Sequence, residues 1–247
     1  LSDSYKKVIG EEHFEETHKK IHIERLYITY YFENDDMLNI GKFNSEIGFW
    51  NTIPINILRP TTSSPHLVTN MFPKFTTGLS YKKNINGTYL QDLIFTFQNN
   101  EDIGKSYNNF PLKKHYSLGF DFENSYFQLR CGGGYFKYEK DNKNKYYFAA
   151  IKQEGIKFDW QAEWALRIND ENIYLHDFYL QNIWHTLQKF DTVFRVEKYK
   201  DDILYFKEWN FTVGGIYKPL PNIVIKGEYE RHTVTNNRFA FSFSMMF

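Results

Sequence analysis

The last ten residues, Arg238–Phe247, constrain the fold most. Phe239, Phe241, Phe243, Met245 and Phe247 alternate with Arg238, Ala240, Ser242 and Ser244. Successive side chains on a strand point to opposite sides, so this segment has one apolar wall and one small, polar wall. Taken alone, an amphipathic edge strand of a soluble sandwich gives the same pattern. The pattern recurs, however. Ile156, Phe158, Trp160, Ala162, Trp164, Leu166 and Ile168 alternate with Lys157, Asp159, Gln161, Glu163, Ala165, Arg167 and Asn169. Tyr116, Leu118, Phe120 and Phe122 alternate with polar partners or glycine, as do Trp209, Phe211 and Val213, and Ile223, Ile225 and Tyr229. Such segments run for about ten residues, the length a tilted strand needs to cross a bilayer. Sandwich strands are about five or six.

Composition agrees with a wall between lipid and water. Aromatic residues make up 19% of the chain, yet the mean hydropathy is −0.58. A barrel in lipid combines an apolar, aromatic exterior with a polar lumen. No run of about 20 apolar residues exists, which excludes a transmembrane helix. The formal net charge of zero argues against a nucleic-acid partner. The single cysteine, Cys131, excludes an internal disulfide. No signal peptide is visible, and Leu1 implies a processed or trimmed chain.

The pattern predicts an all-β, antiparallel, up-and-down transmembrane β-barrel, read as a single domain over 1–247, with about thirteen strands. They lie near 20–33, 37–43, 73–83, 88–98, 114–123, 126–138, 145–153, 156–168, 173–186, 190–199, 205–217, 222–231 and 238–247. Alternation is loosest in the sixth, seventh and ninth. Gly132, Gly133 and Gly134 predict a bulge or a close approach. Residues 1–19 form a polar lead segment. A terminal aromatic such as Phe247 resembles the C-terminal signal of bacterial outer-membrane proteins, which places it at the periplasmic end. Walking back makes the turns near 219–221, 187–189, 153–155, 124–125, 85–87 and 34–36 periplasmic. The two longest connections, 44–72 and 99–113, then lie outside. Single-chain bacterial barrels have an even number of strands. The complete protein is therefore expected to have fourteen to sixteen, sixteen being favoured, unless one uncertain strand is miscounted.

A verbal likeness appears at Leu38-Asn39-Ile40-Gly41-Lys42-Phe43-Asn44-Ser45-Glu46-Ile47-Gly48-Phe49-Trp50-Asn51. It resembles the strand-to-loop segment of phosphate-selective-type and related general porins of the bacterial outer-membrane superfamily. There a Gly-Lys-Phe or Gly-Arg-Phe strand end leads into a Pro-Phe-Gly-like loop; here Glu46-Ile47-Gly48 departs from it. Glu24–Tyr27, Phe194–Glu197 and Gly227–Tyr229 resemble other strands of that family. The resemblance implies a water-filled channel for passive diffusion in the outer membrane of a Gram-negative bacterium, amid lipid and lipopolysaccharide. It also implies association as a homotrimer and a long loop folded inward as a constriction. Residues 44–72 are the candidate: their only charges are Glu46 and Arg59, and Pro54, Pro60 and Pro65 stiffen them. An ordinary long surface loop is the plainer reading.

Strand parity turns most charges inward, where they face a cavity or one another rather than lipid. Arg25, Arg130, Arg167, Arg195 and Arg238 are candidates for a basic wall, with Arg59 reaching in from the loop. Asp121, Glu163, Glu197 and Glu228 would form an opposing acidic wall. Crossed walls of this kind admit small polar or anionic solutes. Structural salt bridges and plain solvation of the lumen are the alternative role for each residue. Enzyme motifs are lacking: no Gly-x-Ser-x-Gly elbow and no His-Glu-x-x-His occur, and His115 and Ser117 share an inward face. Neither a cofactor nor a metal site is expected. A non-conducting outer-membrane barrel acting as a binding or structural scaffold is the alternative function, and a soluble β-protein is a third.

Overall fold

The computed structural model describes residues 23–105, 107–138 and 142–246. The lead segment 1–19, the start of the first expected strand and Phe247 lie outside the described residues. Thirteen strands form one antiparallel sheet in which each pairs with its neighbours in sequence. They are β1 (Leu26–Tyr31), β2 (Met37–Asn44), β3 (Phe75–Asn84), β4 (Leu90–Gln98), β5 (Leu112–Glu123), β6 (Gln128–Tyr138) and β7 (Lys143–Gln153). There follow β8 (Phe158–Asn169), β9 (Tyr174–Leu187), β10 (Phe190–Asp201), β11 (Phe206–Leu220), β12 (Ile223–His232) and β13 (Arg238–Met245). β1 and β13 each pair on one side only, so the sheet is not closed among the described residues. The strands with loose alternation are present as β6, β7 and β9.

The period of two becomes two faces. On β9, Leu175, Asp177, Tyr179 and Gln181 are buried while Tyr174, Phe178, Leu180 and Trp184 are exposed. On β10, Asp191, Val193, Arg195, Glu197, Tyr199 and Asp201 are buried while Phe190 and Phe194 are exposed. A charged row inside and an aromatic row outside invert the pattern of a water-soluble strand, and lipid is the solvent that suits it. Trp164, Trp184 and Trp209 point outward, and Trp160 donates its indole N–H to Gln153 Oε1 at 2.5 Å.

The glycines of β6 mark a close approach, not a bulge: register runs unbroken from His115↔Phe136 to Glu123↔Gln128. A Cβ on Gly134 would fall 2.6 Å from the Tyr146 hydroxyl, so the bare backbone there makes room for that ring.

The connections alternate between two ends. One end carries 32–36, 85–89, 124–127, 154–157, 188–189 and 221–222; the other carries 45–74, 99–111, 139–142, 170–173, 202–205 and 233–237. The two longest do share an end. The other four there have no more residues than the longest turns opposite, residues 139–141 lying outside the described ones, so the length contrast rests on 45–74 and 99–111 alone.

The long segment 45–74 contains a 3₁₀ turn (Asn56–Leu58) and a short helix α1 (His66–Asn70). Its apolar residues Ile47, Trp50, Leu67, Val68, Met71 and Phe72 are buried against the inward side chains Phe136, Tyr146, Phe148, Ala165, Leu175 and Tyr179. In this sector the inner face is apolar, unlike the polar lumen read from parity. Protein rather than water fills the space, so burial of rings is favourable there.

If the outer face meets lipid, Leu180→Arg at the middle of β9 will lower barrel stability by about 2–4 kcal/mol in phospholipid vesicles. Denaturant unfolding of the vesicle-inserted protein measures it. A change within about 0.5 kcal/mol, usual for a water-exposed site, would mean that this face is not in lipid.

Candidate functional site

Several inward charges converge on segment 45–74, and most of the bonds they make to it are to its main chain. Glu163, from the middle of β8, accepts the N–H groups of Phe49 at 3.0 Å and Trp50 at 2.8 Å. It also takes the Tyr179 hydroxyl and the Gln161 amide, both at 2.6 Å. Gly48 precedes these donors with φ +64°, and a Cβ there would sit 2.1 Å from Glu163 Oε2. Only glycine lets the chain turn against that carboxylate.

Glu228, on β12, accepts the N–H groups of Thr62 at 2.9 Å and Ser63 at 2.6 Å. Arg195, on β10, donates to Thr61 Oγ1 at 2.9 Å, Ser63 O at 3.2 Å and Ser63 Oγ at 2.8 Å, and pairs with Glu230. Arg238 bonds the same Glu230 from β13. Arg130 donates to Gly48 O at 2.9 Å, Arg167 to Asn70 O at 2.6 Å, and Lys226 to Asn56 O. Charge-assisted bonds of this kind are stronger than neutral ones. They satisfy the polar backbone of a loop that water cannot fully reach.

The remaining expected residues are placed as follows. Asp121 and Arg130 are bidentate partners at 2.6 and 2.7 Å, because β5 and β6 register them opposite each other on one face. They are neighbours, not members of opposed walls. Glu197 is buried beside Asp177, and the oxygens of both lack a hydrogen-bond partner among the described residues. Arg25 lies 3.8 Å from Glu24. Arg59 donates to Ile53 O within its own segment at 3.2 Å. His115 is buried, bonded to Thr76 Oγ1 at 2.8 Å and the Tyr146 hydroxyl at 2.7 Å, a structural place rather than a reactive one.

Arg59, Arg25, Lys74 and Lys226 form a loose cationic group: Arg59 feels each of the other three, with Glu24 the nearby counter-charge. Burial draws the Arg59 guanidinium below its usual range, and burial together with Arg59 does the same to the Lys74 ammonium. Below the crossing segment, toward the end with uniformly tight turns, lies a cavity of about 670 Å³. Phe49, Pro54 and Arg59 form its ceiling, and His185, Lys218 and Val224 line its wall.

The chain superposes on an anion-selective porin from Comamonas acidovorans with a TM-score of 0.62 at 9% identity, over 86% of this chain and 67% of that one. It superposes on a loop-deletion form of OmpT, an outer membrane protein of Vibrio cholerae, with a TM-score of 0.60 at 11% identity, over 92% and 80%. The fold is that of an outer-membrane porin. A third structure, a porin refined at 1.8 Å resolution, gives a TM-score of 0.55 at 9% identity over 88% of both chains. No protein-family model matches the chain. No curated protein matches it in sequence.

A cluster that sequence reasoning missed sits at the end bearing the long connections: His66 of α1, Glu208 of β11 and His232 of β12. Three residues so far apart in the chain share no motif, and only the inward fold of 45–74 brings His66 to the wall.

Removing both carboxylate anchors, Glu163→Ala with Glu228→Ala, leaves four backbone donors unpaired at about 1–3 kcal/mol each. Chymotrypsin is expected to cut the double variant near Trp50 at least about tenfold faster than the parent. Equal cleavage rates in a folded variant would show that the anchors do not hold the segment.

Proposed function

We propose that the chain forms a passive diffusion channel in a bacterial outer membrane for small polar solutes, anions preferred, with residues 45–74 as its constriction. The observation that carries this reading is the cationic group at the crossing. Arg59 is brought by the segment itself and lines the cavity, within electrostatic reach of Arg25, of Lys74 and of Lys226 from β12. Like charges in a partly dehydrated place repel, and a passing anion offsets that repulsion. Among the inward acidic residues, three already have partners, and Glu24 is the counter-charge that Arg59 and Lys74 share. Asp121 is paired with Arg130, while Glu163 and Glu228 are taken up by backbone N–H groups.

The porin fold and the cavity below the segment support a conductive role. The likeness of Leu38–Asn51 to phosphate-selective-type porins favours the same sign of charge. In this reading the chain is a channel and not an enzyme. Its aromatic exterior faces lipid, with lipopolysaccharide on the outer side, and three subunits associate. One of the similar structures, OmpT of Vibrio cholerae, is described in a trimer form.

Planar-bilayer recording of the purified protein tests the proposal. Stable current steps are expected, with a reversal potential under a salt gradient that shows anions crossing faster than cations. Arg59→Glu is expected to reduce or reverse that preference while the step size changes little. Silence from correctly folded protein would favour a scaffold. Cation preference in the parent would overturn the assignment of Arg59.

A further inference from the structure

We propose that His66, Glu208 and His232 form a binding site for a divalent transition metal of the zinc class, which ties segment 45–74 to the barrel wall. One ligand atom from each residue lies within 4.8 Å of the other two. His66 Nε2 is 3.8 Å from Glu208 Oε2, and His232 Nδ1 is 3.4 Å from Glu208 Oε1. Zinc bonds of roughly 2.0–2.1 Å to nitrogen and 2.0–2.2 Å to oxygen give a tetrahedral edge of about 3.4 Å. From separations of up to 4.8 Å the cluster needs a contraction of about 1.4 Å at most. His66 can supply it, because its side chain is 30% exposed while Glu208 is buried.

The outward atoms of each residue are held as metal ligands require. Metal-binding histidines and carboxylates direct their second polar atom to a supporting partner, which fixes orientation. Glu208 Oε1 accepts the Thr235 N–H at 2.8 Å and its hydroxyl at 2.7 Å. That leaves Glu208 Oε2 buried with no hydrogen bond. His232 turns Nε2 toward Glu230 Oε2 at 3.7 Å, and its Nδ1 is likewise buried and unbonded. His66 turns Nδ1 to the Asn70 side-chain amide at 3.4 Å, so Nε2 faces the cluster. Asn70 Nδ2 is the atom nearest Nδ1; turning that amide over lets its oxygen accept from Nδ1–H and leaves Nε2 the lone pair a metal needs. Stacking on Tyr199, with ring centroids 5.5 Å apart and planes 17° apart, sets the plane of the His66 ring.

Two buried polar atoms without a hydrogen bond, in neighbouring side chains of one cluster, are costly without a partner. A cation between them removes that cost. Two imidazoles and one carboxylate suit zinc-class ions and are poor for calcium or magnesium, which prefer oxygen. The fourth position is open to water. Because His66 belongs to the crossing segment and the other two ligands to the wall, the metal would act as a cross-link whether or not the barrel conducts.

Zinc chloride titrated calorimetrically into metal-stripped, folded protein in detergent tests the site. One ion per chain is expected, with His66→Ala and His232→Ala each weakening binding by about tenfold or more. Asn70→Ala, which removes only a supporting group, is expected to weaken it less than either. Zinc is also expected to slow chymotrypsin cleavage of residues 45–74 in the parent and not in His66→Ala, whose change lies on the segment and spares the strands. No binding of zinc, affinity unchanged in His66→Ala, or equal affinity for magnesium would each overturn the proposal.

Discussion

A strand that separates lipid from a polar interior gives each residue one side and no compromise between them. Everything in this barrel follows from that constraint. Phe178, Leu180 and Phe194 can sit outside because no water needs to be excluded from them. Asp177, Arg195 and Glu197 must sit inside, where burial leaves them to find partners. A slip of one residue in register would exchange the two sets at once, so the pairing of the strands is strongly specified.

The interior charges then need something to bind, and the segment 45–74 supplies it. Its turns and its short helix leave many N–H and C=O groups without a regular ladder. Glu163 and Glu228 accept the donors, while Arg130, Arg167, Arg195 and Lys226 donate to the carbonyls. Charged wall and irregular loop are thus each other's solvent. The apolar half of the segment completes the arrangement by packing against Tyr146, Phe148 and Tyr179.

The strands were legible in the sequence because a period of two is a local signal, present within any ten residues. Segment 45–74 was legible by its length and prolines. Its partners were not. Parity shows that Glu163 points inward, but a carboxylate awaiting two backbone N–H groups looks the same in sequence as one facing a channel. The pairing of Asp121 with Arg130 needed the register of β5 against β6, which no single strand encodes. The cationic group around Arg59 and the cluster of His66, Glu208 and His232 depend on where a loop lands, and that is set by the sum of its contacts. The apolar sector around Phe136 and Tyr146 was hidden for a related reason. Aromatics on both faces blur the alternation of β6 and β7, and only the presence of Trp50 and Phe72 inside explains them.

The wall grips the segment chiefly by its peptide groups, and this has a consequence for variation. Side chains at Phe49, Trp50 and Asn70 can change without removing the N–H or C=O that the wall holds. If the proposed channel function holds, positions such as Arg59 can be rewritten to alter what passes, while the course of the chain stays in place. Some positions escape this freedom, among them Thr61 and Thr62, whose hydroxyls bond Arg195 and Ser242. Gly48 has no room for a side chain against Glu163, and Ser63 is held by its hydroxyl as well as its peptide. A barrel built in this way separates the peptide groups that anchor the segment from the side chains that its sequence is free to vary.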